Sequence, residues 1–83
     1  MRANPNRPEN EMPLIDIQVM EGVFSDDEKA RMIAEVTKGF GKVAGQAMAD
    51  ATSIRIHEVK SGSWGYGGKP FYLQDAMAIK DRG

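Results

Sequence analysis

Pro13 directly follows Met12 at the head of the run Leu14-Ile15-Asp16-Ile17-Gln18-Val19-Met20, and that pair carries the most distinctive chemistry in the chain. Initiator methionine is generally removed when the next residue is small or proline. If Met12 is an initiator, its removal leaves a secondary amine at the end of a strand. Within a peptide bond the same nitrogen is an amide and has no basicity to offer. Further along, Arg55 and the lone His57 lie two residues apart in Thr52-Ser53-Ile54-Arg55-Ile56-His57-Glu58-Val59, which puts both on one face of an extended segment. Trp64 and Tyr66 sit among Gly62, Gly65, Gly67 and Gly68, where glycine permits bends that a side chain would forbid and the aromatics supply large contact area. This glycine-rich stretch is either a hairpin packing its aromatics on a neighbour or a loop lining a pocket. One histidine and no cysteine exclude a thiolate or clustered-histidine metal site, so neither a metal nor another cofactor is expected.

The elements that must position these residues follow from periodicity. Residues 14–20 alternate as a strand, with Ile15, Ile17 and Val19 on one face and Leu14, Asp16, Gln18 and Met20 on the other; a proline is tolerated at a strand's first position, where no ladder N–H is lost. Ser25-Asp26-Asp27-Glu28 is a capping box that starts a helix. Met32, Ile33, Val36, Phe40 and Val43 predict its apolar stripe, with Lys29, Glu35, Lys38 and Lys42 in water and Gly45 as the stop. Asp26, Asp27 and Glu28 suit the helix N-terminus. Gln46 to Ala51 read as a connection, and residues 52–59 as a second strand. Phe71 to Lys80 fit a closing helix or strand equally. Strand, helix, strand is a βαβ unit, in which the two strands are parallel.

Residues 1–12 are of different composition, rich in Asn, Pro, Arg and Glu, and read as an N-terminal extension that is disordered or absent from the mature protein. Glu9-Asn10-Glu11 need purine-rich codons, as a ribosome-binding site just upstream of a Met12 start would have. The domain is residues 13–83. With 83 residues, 41% of them hydrophobic, and no disulfide, one core is marginal and self-association is expected to complete the sheet. A net charge of -1 without basic runs argues against nucleic acid or an anionic membrane as partner. The absence of a long apolar segment makes the cytoplasm the expected location.

Taken together, Met12-Pro13 with its apolar strand, Glu21-Gly22, the Ser25 cap, one helix, a second strand and Trp64-Gly65-Tyr66-Gly67-Gly68 resemble the 4-oxalocrotonate tautomerase family. The resemblance covers Pro13 to Gly68. It implies an α+β fold, a β-α-β protomer with parallel strands assembled as a dimer or a hexamer of dimers, acting on small enol or keto acids of the 2-hydroxydienoate kind with an N-terminal proline as general base. A free proline amine starts near the α-amino range of about 7.7–8.0, and an apolar pocket with nearby cations lowers it toward neutrality. Pro13 matches that proline, and Trp64 matches the aromatic that walls the pocket. The resemblance places one arginine just after Glu-Gly, where this chain has Val23, and a second at a position that counting back from Trp64 assigns to Ser53, with Arg55 two residues on and on the same face. Arg55 is therefore a candidate for a substrate carboxylate, in its own or a neighbouring subunit, or for an ion pair. His57 reads as a solvated strand residue without an acidic orienting partner. Two alternatives accompany the tautomerase reading: other chemistry of the superfamily, such as hydration, dehalogenation or decarboxylation, and a non-catalytic tautomerase-like subunit if Pro13 stays internal.

Overall fold

A computed structural model describes residues 13–83; the expectation for residues 1–12 lies outside the described residues. The element order is β1 (Leu14–Met20), α1 (Asp26–Ala44), α2 (Gln46–Asp50), β2 (Ser53–Val59), β3 (Trp64–Tyr66), β4 (Lys69–Phe71) and α3 (Leu73–Asp81). β1 and β2 pair in parallel, in a register that runs from Leu14 opposite Ser53 to Met20 opposite Val59. The expected βαβ unit is present. Ile15, Ile17, Val19, Ile54 and Ile56 are half-buried, whereas Leu14, Asp16, Gln18, Ser53, Arg55 and His57 form an exposed face.

α1 begins as the capping box predicts: the Glu28 N–H donates to Ser25 Oγ at 3.1 Å and the Ser25 N–H donates to Glu28 Oε1 at 2.9 Å. It ends at Gly45, whose φ of 102° suits glycine and whose N–H donates to the Gly41 carbonyl at 2.8 Å. The stripe differs from the expected one at two places, Ile33 and Val43. Met32, Val36 and Phe40 are half-buried, but Ile33, at the edge of the buried face, is 41% exposed and Val43 is 92% exposed. Nineteen helical residues span about 28 Å and seven strand residues about 23 Å, so the last turn of α1 overhangs the sheet. Lys29, expected in water, instead pairs with Glu58 of β2 at 3.0 Å and with Asp26 at 3.4 Å. Its hydrogen bond to Glu58 holds the ammonium above its ordinary pKa.

The expected connection at residues 46–51 is the short helix α2, in which Gln46 Nε2 donates to Asp50 Oδ1 at 2.7 Å. Gly41 lets α2 approach closely, since a Cβ built there would lie 2.8 Å from the Ala49 Cβ. β3 and β4 form a hairpin whose two turn residues, Gly67 and Gly68, have φ of 53° and 85°, as a tight primed turn requires. Phe71 meets Tyr66 edge to face at 5.2 Å between ring centroids. The segment left open at the end of the chain resolves as helix. Asp75 accepts from the Tyr72 N–H at 3.0 Å and Ser61 Oγ from the Leu73 N–H at 2.8 Å, which satisfies two of the orphan donors at the start of α3.

Among the described residues, only Met20, Val23 and Ala49 are buried apolar side chains, and none is wholly enclosed. A core this small leaves much apolar surface for a neighbour to cover, including Leu14, Ile33 and Ile79. Among the described residues no helix is long and apolar enough to cross a membrane.

Candidate functional site

Pro13 is half-buried at the entry to β1, and its carbonyl accepts the Ser53 N–H at 2.9 Å. That bond depends on where β2 starts, which α2 decides. The Ala51 N–H donates to the Met48 carbonyl and the Thr52 N–H to the Ala49 carbonyl, both at 3.1 Å, while Thr52 Oγ1 donates to the Met48 carbonyl at 2.7 Å. The helix therefore closes at residue 52, and the ladder begins with Ser53. Arg55 follows one pleat later on the same exposed face, opposite Asp16 in the register. Among the described residues no carboxylate lies within ion-pair distance of Arg55. His57 does have an acidic neighbour, contrary to the sequence reading: its Nε2 lies 3.3 Å from Asp16 Oδ1. The two are 41 residues apart, and parallel pairing brings their side chains onto one face.

Trp64 stands at the other end of the sheet. With Met20, Val23, Phe24, Phe71 and Ile79 it lines an open cleft of about 460 Å³. The polar groups at its wall include Gln18 and Lys80. Lys80 reaches back from α3 and donates from Nζ to the Val23 carbonyl at 2.9 Å and to Glu28 Oε1 at 2.8 Å, with the ammonium 5.1 Å from the centre of the Phe24 ring. The same Glu28 oxygen closes the capping box of α1. The Lys80 hydrogen bond, then the Ser25 N–H, hold the Glu28 carboxyl below its ordinary pKa. Val23, at the place where the resemblance expects an arginine, is buried.

The protomer thus brings Pro13 and Ser53 together with Arg55 beside them, and leaves Trp64 about 20 Å away, since β1 runs seven residues between the two ends. Sequence reasoning missed Lys80. Its hydrogen-bond partners lie 52 and 57 residues away, and nothing local in its segment points to them. Among the described residues no group of three or more His, Cys, Asp or Glu stands close enough together to hold a metal ion.

The sequence profile of a family described as "Tautomerase enzyme" matches residues 13–74. Among solved structures, a 4-oxalocrotonate tautomerase isozyme structure from Methylibium petroleiphilum is 28% identical with a TM-score of 0.63, covering 70% of this chain and 90% of that one. DmpI from Helicobacter pylori is 28% identical with a TM-score of 0.61, over 70% of this chain and 94% of its own. YwhB, a homologue of 4-oxalocrotonate tautomerase, is 21% identical over 70% of this chain and 92% of its own, and at a TM-score of 0.63 it shares the fold. No curated protein matches the chain.

Proposed function

The chain belongs to the tautomerase family, and from that premise we propose that it interconverts enol and keto forms of small 2-hydroxydienoate-like acids with the N-terminal amine of Pro13 as general base. The observation that supports this reading most is the setting of Pro13: the residue heads β1, half-buried, with its carbonyl pinned to the Ser53 N–H at 2.9 Å. An amine held there is positioned by the sheet ladder, and partial burial lowers its affinity for a proton. In the proposed step the Pro13 nitrogen takes the proton from the enol hydroxyl. The electron pair moves through the diene to form the carbonyl, and the same proton returns to a distal carbon. The base is regenerated, and no oxidant or cofactor is consumed. General acid–base catalysis of this kind contributes about 10²–10⁴-fold.

Arg55, with no carboxylate partner among the described residues, is the proposed seat of a substrate carboxylate, and the Ser53 hydroxyl beside it a polar neighbour of the same group. Trp64 is too far from the Pro13 of its own protomer, so its proposed role as pocket wall requires the Trp64 cleft of one subunit to meet the Pro13 of another. The functional unit is then a homo-oligomer, a dimer or a hexamer.

A buried valine where an arginine is expected favours a second reading, in which the same base serves hydration, dehalogenation or decarboxylation. A third follows from the residues that precede Pro13 in the sequence: if they are retained, the nitrogen is an amide and the subunit is non-catalytic. Intact-mass measurement and N-terminal sequencing of the protein from its native host test the premise. A chain that begins at Pro13 supports the tautomerase reading; a chain that begins at Met1 or Arg2 overturns Pro13 as the base.

A further inference from the structure

We infer that Lys80 binds the carboxylate of a small molecule whose apolar body lies in the Trp64 cleft. The cleft wall is mostly apolar, from Met20, Val23, Phe24, Trp64 and Phe71, and Lys80 is the one formally charged side chain among the described residues lining it. Its volume of about 460 Å³ falls within the range of about 300–1,000 Å³ of small-molecule sites. Such a wall selects an aromatic or branched apolar body. It repels an anion unless a cation is there to receive it.

Lys80 is placed for that task. An ammonium has three donors, and two are engaged, by the Val23 carbonyl at 2.9 Å and Glu28 Oε1 at 2.8 Å. The third remains for a ligand. The Glu28 contact is also exchangeable, because Glu28 Oε1 accepts the Ser25 N–H at 2.9 Å and lies at the N-terminus of α1, where a negative charge is favoured without Lys80. An incoming carboxylate therefore competes with Glu28 for Lys80, and Glu28 keeps its bond from the Ser25 N–H when it yields. The Val23 carbonyl and the Phe24 ring keep the ammonium at the cleft as the exchange takes place.

The inference rests on the proposed function only in taking this cleft as the substrate site; binding itself needs no free amine at Pro13. The full chain carries a single tryptophan, Trp64, so ligand entry is read directly as a change in its fluorescence. The probes are 3-phenylpropionate and its neutral amide. The unsubstituted protein is expected to bind the acid about tenfold tighter than the amide, as a charge-assisted hydrogen bond gives. Lys80→Met, which keeps the stem and removes the charge, is expected to bring that ratio to about one while the amide affinity stays within about twofold. Glu28→Gln, which still fits the capping box, is expected to raise the affinity for the acid severalfold by freeing Lys80. A role for Lys80 that is only structural predicts no such gain. The inference is overturned if the unsubstituted protein binds neither probe or does not prefer the acid, if the preference survives in Lys80→Met, or if Glu28→Gln leaves the acid affinity unchanged or lower. Should Lys80→Met fail to fold by circular dichroism, the acid-to-amide ratio and the Glu28→Gln result decide alone. Acid preference in a protein without tautomerase activity counts against Pro13 only; activity without acid preference counts against Lys80 only.

Discussion

Replacing Gly39 and Gly41 of α1 by alanine, one at a time, tests how the start of β2 is positioned. Both glycines lie within one helix, two residues apart, and propensity alone predicts a gain of about 0.8–1 kcal/mol at either. The surroundings differ. A Cβ at Gly39 meets nothing within 4 Å, so Gly39→Ala should keep the full gain. A Cβ at Gly41 would stand 2.8 Å from the Ala49 Cβ, inside the carbon–carbon optimum of about 3.5–4.0 Å. Relieving that overlap means moving α2, at a cost in the overpacking range of about 1–3 kcal/mol. Gly41→Ala is then neutral to destabilising by up to about 2 kcal/mol. In an Ala49→Gly background the overlap is gone and the propensity gain should reappear. Thermal unfolding at one fixed protein concentration reads the effect, since 1 kcal/mol moves the midpoint of a domain this size by about 4–8 °C and self-association makes the midpoint concentration-dependent. Equal stabilisation by both single substitutions would refute the close seating of α2 on α1. It would remove with it the argument that α2 sets Ser53 against Pro13.

Three further outcomes follow from the same geometry. Arg55→Ala should weaken binding of carboxylate-bearing enol substrates by about 1.5–3 kcal/mol, read as KM or inhibitor affinity, and leave neutral analogues nearly unchanged; equal losses for both would return Arg55 to a structural role. Glu28 is held below its ordinary pKa of 4.5, chiefly by Lys80, so its contribution is complete above that range and is lost as pH falls through the lower folded-state value. The unfolding midpoint should therefore drop on acidification below pH 4.5, and less steeply in Lys80→Met; identical acid profiles would contradict the pairing. Light scattering at micromolar concentration should find an oligomer, whereas a fully folded, stable monomer would remove the premise that Pro13 of one subunit meets Trp64 of another.

Where a structural signal is local, the sequence shows it. Ser25, Glu28 and Gly45 act within a turn of their own positions, and α1 starts and stops as they predict. The alternation in residues 14–20 and 53–59 determines which side chains share a face. Phe71 to Lys80 stayed ambiguous because the cap of α3 comes partly from Ser61, twelve residues upstream of Leu73. Val43 continues the helical period, yet whether it meets a sheet depends on how far the strands extend beneath it. Lys29 looked like a solvated helix residue because its partner Glu58 lies 29 residues away. The Asp16–His57 contact needed the strand register, and Lys80 needed the docking of α3 on the loop after β1. Pro13, Ser53, Arg55 and Trp64 were all legible as candidates from type and order. Their division between two ends of one protomer is a fact of the fold.

The central claim, a terminal amine at Pro13 as the base, is tested most directly by comparing two forms of the protein: one whose mass shows that it begins at Pro13, and one that retains residues 1–12. Both are assayed for ketonisation of a 2-hydroxydienoate by ultraviolet absorbance, with oligomeric state and circular dichroism matched. The account predicts that kcat/KM falls by about 10²–10⁴-fold when the nitrogen is an amide, the range that general base catalysis contributes. Equal kcat/KM for the two forms would contradict it.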